Sequence, residues 1–132
     1  MRIFGVGFAA FVVAFVTLGA LAHAEDKKGQ EPKPVTLRGE LVDTGCYLGH
    51  EAKGEGHQGC ALKCIAGGMP MGLLTADGTV YLLTMSHTSA DPYNKAKELA
   101  AKMVEITGPV SERGGLKGIE VTAIAEVTPA AK

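Results

Sequence analysis

Cys46, His57, Cys60 and Cys64 are the residues of this chain best suited to chemistry. They are its three cysteines and one of its four histidines, gathered between residues 46 and 64. Thiolate and imidazole are the donors that soft and borderline metals prefer. Cys3His is a tetrahedral zinc set, and three thiolates also suit Cu(I). The expectation is therefore a site for copper or zinc built from Cys46, His57, Cys60 and Cys64. The Cys-x3-Cys spacing of Cys60 and Cys64 departs from the Cys-x2-Cys knuckle of common zinc modules. His50, His87 and the pairs Met69-x-Met71 and Met85-x-His87 add soft or borderline donors close in sequence, which tilts the expectation toward copper. Against that, methionine is a habitual gap filler, so Met71 and Met85 are expected to pack the ends of a hairpin. His50 and His87 are expected to face solvent from loops.

The same thiols have two other chemical fates. Cys46 can pair with Cys60 or Cys64 in a disulfide worth ~2–4 kcal/mol, which leaves one thiol free. Pairing of Cys60 with Cys64 is disfavoured, because side chains on adjacent turns of one helix meet disulfide geometry only with distortion. Alternatively, Cys60 sits near a helix start with His57 one turn before it. Both features stabilise a thiolate, so Cys60 is a candidate redox thiol with Cys46 or Cys64 as resolving partner. No Cys-x-x-Cys motif supports a thioredoxin-like enzyme, and no nucleophile elbow surrounds Ser86, Ser89 or Ser111. Binding without turnover is the expectation, with a thiol-redox protein or a disulfide-stapled interaction module as alternatives.

These residues need elements to hold them. Val35–Asp43 alternates apolar and polar residues and reads as a half-buried strand, with Gly39 marking a bulge or close backbone approach. Thr44–Gln58 reads as a glycine-rich loop. A short helix opens at His57 or Gln58 and runs to Ala66, where Gly67-Gly68 stops it. On it, His57, Cys60 and Cys64 fall at i, i+3 and i+7, a shared face, and Cys46 arrives from the first strand. Met71–Thr75 and Thr79–Thr84 flank the Asp77-Gly78 turn signal and predict a hairpin. Asp91-Pro92 opens a second helix through Lys102. Strands follow at Met103–Val110 and Lys117–Val127, joined by a turn at Arg113-Gly114-Gly115. Five strands with a helix between the third and fourth is the element order of a five-stranded OB-fold-like barrel, here with the Cys/His-bearing helix inserted between strands 1 and 2.

Gly39-Glu40-Leu41-Val42-Asp43, Cys46, His57-x-x-Cys60-Ala61-x-x-Cys64, Gly68-x-Pro70-x-Gly72-Leu73-Leu74, Asp77-Gly78-x-Val80-Tyr81-Leu82-Leu83 and Arg113–Ile119 together carry a likeness. The chain resembles small exported bacterial proteins with an OB-type barrel and a Cys/His insertion. The resemblance spans about residues 36–125 and implies fold and location; it brings no activity with it.

Location also follows from the first residues. Met1-Arg2, an uncharged apolar run from Ile3 to Ala22, and Ala22-His23-Ala24 before Glu25-Asp26-Lys27-Lys28 have the layout of a secretory signal peptide cleaved after Ala24. Residues 1–24 are thus expected to be removed, residues 25–34 to form a linker, residues 35–127 a single domain, and residues 128–132 a tail. A periplasmic or secreted protein is expected, one that meets a membrane only through an uncleaved signal segment. The formal charge is −1, and no basic run is present, which argues against nucleic-acid binding. The expected partners are a metal ion and another envelope protein. In an oxidising compartment idle thiols pair unless a metal or reductant holds them, which sharpens the question of what the three cysteines do.

Overall fold

Strand β1, Val35–Asp43, is the axis of the protein. The computed structural model describes residues 32–128, and within them β1 pairs antiparallel with β2, Met71–Thr75, on one side and β4, Met103–Gly108, on the other. The alternation read from its sequence holds in part: Leu37, Gly39, Leu41 and Asp43 share one face, where Leu37 and Leu41 join the core, and Val42 on the other face is buried as well. Gly39 is a close approach. A Cβ there would run into the Leu74 backbone carbonyl, so only glycine lets β2 lie this near.

The chain between β1 and β2 is more helical than expected. Where a loop was predicted, helix α1 spans Thr44–His50, followed by a single 3₁₀ turn, Glu55–His57, and helix α2, Gln58–Ala66. Glycine content misled the loop expectation, because α1 is held by contacts that composition does not display. Asp43 caps its amino end, and Thr44 bonds the Pro70 carbonyl through both its amide (3.0 Å) and its hydroxyl (2.9 Å). Helix α2 matches its expected limits and is fastened by Ala61 and Ile65, four residues apart on its buried side.

The hairpin of β2 and β3, Val80–Met85, is in the expected place, shifted by one residue at its second strand. Gly78 takes the positive φ (83°) the turn requires, and the Asp77 carboxylate accepts from the Thr75 hydroxyl and from the amide and hydroxyl of Thr79. Met71 is buried in the core as expected, whereas Met85 is 52 % exposed and packs no hairpin end.

Helix α3, Asp91–Ala96, starts at Asp91-Pro92 as expected and stops well short of Lys102. The reason is tertiary. The Ala101 amide donates to the Leu41 carbonyl (2.7 Å), and the Leu41 amide donates to the Lys102 carbonyl (3.0 Å). Ala101 adopts a left-handed φ of 59° to make this bridge, which a continuing helix could not.

The last two expected strands are four. Pro109 lacks an amide and divides β4 from β5, Val110–Arg113. Thr122 leaves the ladder to donate both its amide (2.9 Å) and its hydroxyl (2.8 Å) to the Thr107 carbonyl, dividing β6, Leu116–Val121, from β7, Ala123–Glu126. The protein is thus mainly β: among the described residues, seven strands form one mixed sheet in the order β5-β6-β3-β2-β1-β4-β7, parallel only between β3 and β6. This open order replaces the five-stranded barrel expected. The helical insertion between the first two strands and the helix before β4 are present as expected.

One apolar core joins Leu41, Leu73, Val104, Ile106, Ile119 and Val121 from the sheet to Ala61 and Ile65 of α2 and Ala96 of α3. The expected signal segment, residues 1–24, and linker residues 25–31 lie outside the described residues, as does most of the tail. Among the described residues no helix is long and apolar enough to cross a membrane.

Candidate metal centre

The site forms where β1 ends. Asp43 closes the strand at a position facing inward and is 0 % exposed. A carboxylate there must be fully partnered. Its Oδ1 accepts the Cys46 amide (2.8 Å), which caps α1, and its Oδ2 meets His57 Nε2 at 3.1 Å. One side chain thereby positions both Cys46 and His57. The stretch that brings His57 back is tied down separately, since the Gly54 amide donates to the Glu40 carboxylate and Gly54 holds a φ of 78°.

Cys60 and Cys64 come from α2. Each precedes a core residue, Ala61 or Ile65, by one position, which places the two thiols about 100° round the helix from the buried side. Packing of Ala61 and Ile65 therefore decides where the thiols stand. At its start, α2 is further joined to the sheet side by Gln58, whose side-chain amide donates to the Ala100 carbonyl (3.3 Å).

Two overlapping groups result. Ligand atoms of Cys46, His57 and Cys60 lie within 4.8 Å of one another, and so do those of Asp43, Cys46 and Cys64. Cys46 is common to both. The cluster of Cys46, His57 and Cys60 can hold a metal ion. All four residues singled out from the sequence therefore meet at one place, but they are not three equivalent ligands on one helical face. His57 ends the 3₁₀ turn and caps α2; it groups with Cys60, one turn on, while Cys64, a further turn along the axis, groups with Asp43. His50 and His87 are exposed and stand in neither group, as expected.

Asp43 escaped the sequence reading. Its signal was nevertheless present: an acidic residue in phase with Leu37, Gly39 and Leu41 on the inward face of a strand, three residues before a cysteine. Such a residue has to be bonded to something.

All three cysteines are free thiols, Cys46 and Cys64 half-buried and Cys60 exposed; the disulfide staple, one of the alternatives, is not formed. The hydrogen bond to Asp43, burial and the neighbouring Cys64 push the Cys46 thiol up to about 12. Burial also raises Cys64, aided by Cys60 and Asp43 and opposed by its bond with Cys46. For Asp43 itself, burial works to raise the carboxyl, yet the Cys46 amide, the Cys46 thiol and His57 outweigh it and hold the group below the usual carboxylate range. The Asp43 carboxylate favours the protonated form of the Cys46 thiol, and burial does the same for Cys64.

Comparison of the chain with protein-family models, with curated proteins and with solved structures found no match. What this site does has to be read from its own side chains.

Proposed function

We propose that the protein binds a soft or borderline metal ion, copper or zinc, through Cys46, His57, Cys60 and Cys64, and holds it without turnover. The observation that carries this reading is the convergence of Cys46, His57 and Cys60 within 4.8 Å. Asp43 supports it by the role it takes. A carboxylate on one ring nitrogen of a ligating histidine fixes the ring and its tautomer and raises its basicity, and His57 Nε2 has that partner already. Cys64 completes a Cys3His set from the turn of α2 beyond Cys60.

We read the surrounding domain as OB-like. Bridging the interruptions at Pro109 and Thr122 leaves five strand paths with a helix between the third and fourth, and β3 and β6 run parallel. The apolar run and Ala-x-Ala site at residues 1–24 support export to a periplasm or beyond, where the ion and another envelope protein are the partners.

Metal analysis of protein purified from its native compartment without chelators tests the reading; a stoichiometric ion is expected, and metal-free protein with reduced thiols overturns it. The closeness of Cys46 to Cys60 and to Cys64 also favours a second reading, a thiol-redox protein in which the exposed Cys60 reacts first. Raised Cys46 and Cys64 thiols run against it, because reactive thiols are depressed. A rapid, reversible Cys46–Cys60 disulfide in native protein would decide for that alternative.

A further inference from the structure

Met69 lies between the segments that carry this cluster. It is 37 % exposed, whereas Met71, two residues on, is 1 % exposed within the core. Its place is nonetheless defined at both ends. The Met69 amide donates to the Cys64 carbonyl (2.9 Å), which ties the residue to the end of α2. Its side chain lies over Gly45: Sδ and Cε are 2.6 and 2.5 Å from the point where a Gly45 Cβ would stand. Gly45 is the residue before Cys46. Met69 thus links the end of α2, near Cys64, to the start of α1, which carries Cys46, and the missing side chain at Gly45 leaves room for its thioether.

We propose that Met69 belongs to the metal site and that its thioether makes the site selective for Cu(I) over Zn(II). The inference rests on the metal-site reading above and names the ion that the site takes. A thioether is a neutral, soft donor; it adds to thiolates in binding Cu(I), while zinc is served by thiolate, imidazole and carboxylate. An exposed methionine on a flexible stem also reaches an ion at little cost, since three rotatable bonds separate its sulfur from the backbone.

The test uses the purified full chain, reduced, titrated with Cu(I) against a chromophoric Cu(I) chelator and with Zn(II) against a chromophoric zinc chelator. Methionine methyls are followed by NMR in parallel. The Met69 methyl resonance is expected to move on addition of Cu(I) and to stay in place with Zn(II), while that of the core residue Met71 moves with neither. Met69→Leu, which preserves volume, is expected to weaken Cu(I) binding at least ~10-fold, the lower end of what a supporting residue contributes to a metal site, and to leave Zn(II) binding within about twofold. Gly45→Ala, which displaces the thioether, is expected to lose Cu(I) affinity in the same way. Cu(I) bound equally by wild type and Met69→Leu, with the Met69 methyl unmoved, overturns the role of Met69 and leaves the metal site standing. Failure of the wild type to bind either ion overturns the metal site itself, and the inference with it.

Discussion

Replacing Asp43 by Asn tests how the site keeps its thiols protonated. Asparagine caps a helix as well as aspartate does, so the bond to the Cys46 amide and the start of α1 survive. The negative charge and the strong acceptor facing the Cys46 thiol do not. Cys46 stands at about 12 against 9.0 for an unperturbed thiol, with the Asp43 hydrogen bond as the largest cause, ahead of burial and Cys64. Removing that cause is expected to return the thiol about one to two pH units toward its ordinary value. At pH 8 the thiolate fraction then rises about 10–100-fold, and the intrinsic nucleophilicity of the thiolate falls about 3–8-fold, because it scales with basicity at a Brønsted slope near 0.4–0.5. The net expectation is an increase of roughly 3–12-fold in the rate at which Cys46 reacts with a small disulfide reagent. The assay is site-resolved: trypsin cuts after Lys53 and Lys63, so Cys46, Cys60 and Cys64 fall on separate peptides that mass spectrometry quantifies after timed quenching. Rates in denaturant serve as the reference for each site. A Cys46 rate that is unchanged or lower in the variant would refute the electrostatic account of this site.

Three further outcomes follow from the same structure. Binding through the three thiols of the proposed set displaces a proton from each, with the raised Cys46 and Cys64 among them, so apparent affinity near neutral pH should climb about 1000-fold per pH unit for three protons released; calorimetry in buffers of different ionisation enthalpy counts them, and a pH-independent affinity would contradict the assignment. Gly39→Ala forces a Cβ against the Leu74 carbonyl, which as backbone cannot swing aside, and should cost ~1–3 kcal/mol in urea unfolding; an unaltered midpoint would show that β1 and β2 are looser than they stand. Asp77 is held below 3.8 by the Thr75 hydroxyl first and the Thr79 amide next, so its contribution to the hairpin is present above 3.8 and lost as pH falls through its lower folded value; the acid limb of thermal melts should accordingly flatten in Asp77→Ala relative to wild type.

Local chemistry was legible wherever neighbouring residues carry it. Alternation gave away β1, the Asp77-Gly78 pair announced the hairpin turn, Asp91-Pro92 marked the start of α3, and Gly67-Gly68 the end of α2. Contacts between residues distant in sequence were not legible. Helix α3 ends early because Ala101 and Lys102 pair with Leu41, about sixty positions away, and Thr122 splits a strand because the Thr107 carbonyl is within reach. Propensity summed along a segment carries no information on such partners, and a single backbone bridge to another element overrides it.

For the candidate site the division is the same. The sequence by itself determined its chemistry: three thiols and an imidazole in one short segment between two strands, with no competing motif. Only the tertiary structure decided how they are arranged. It placed Cys46 at the centre of two overlapping groups, set His57 with Cys60 and Cys64 with Asp43, and laid the Met69 thioether over Gly45. It also made Asp43 the organising residue. Side-chain type is a property of each residue alone, whereas burial of a carboxylate at a strand end, and the obligation to partner it, exist only once the sheet and α2 have closed around it.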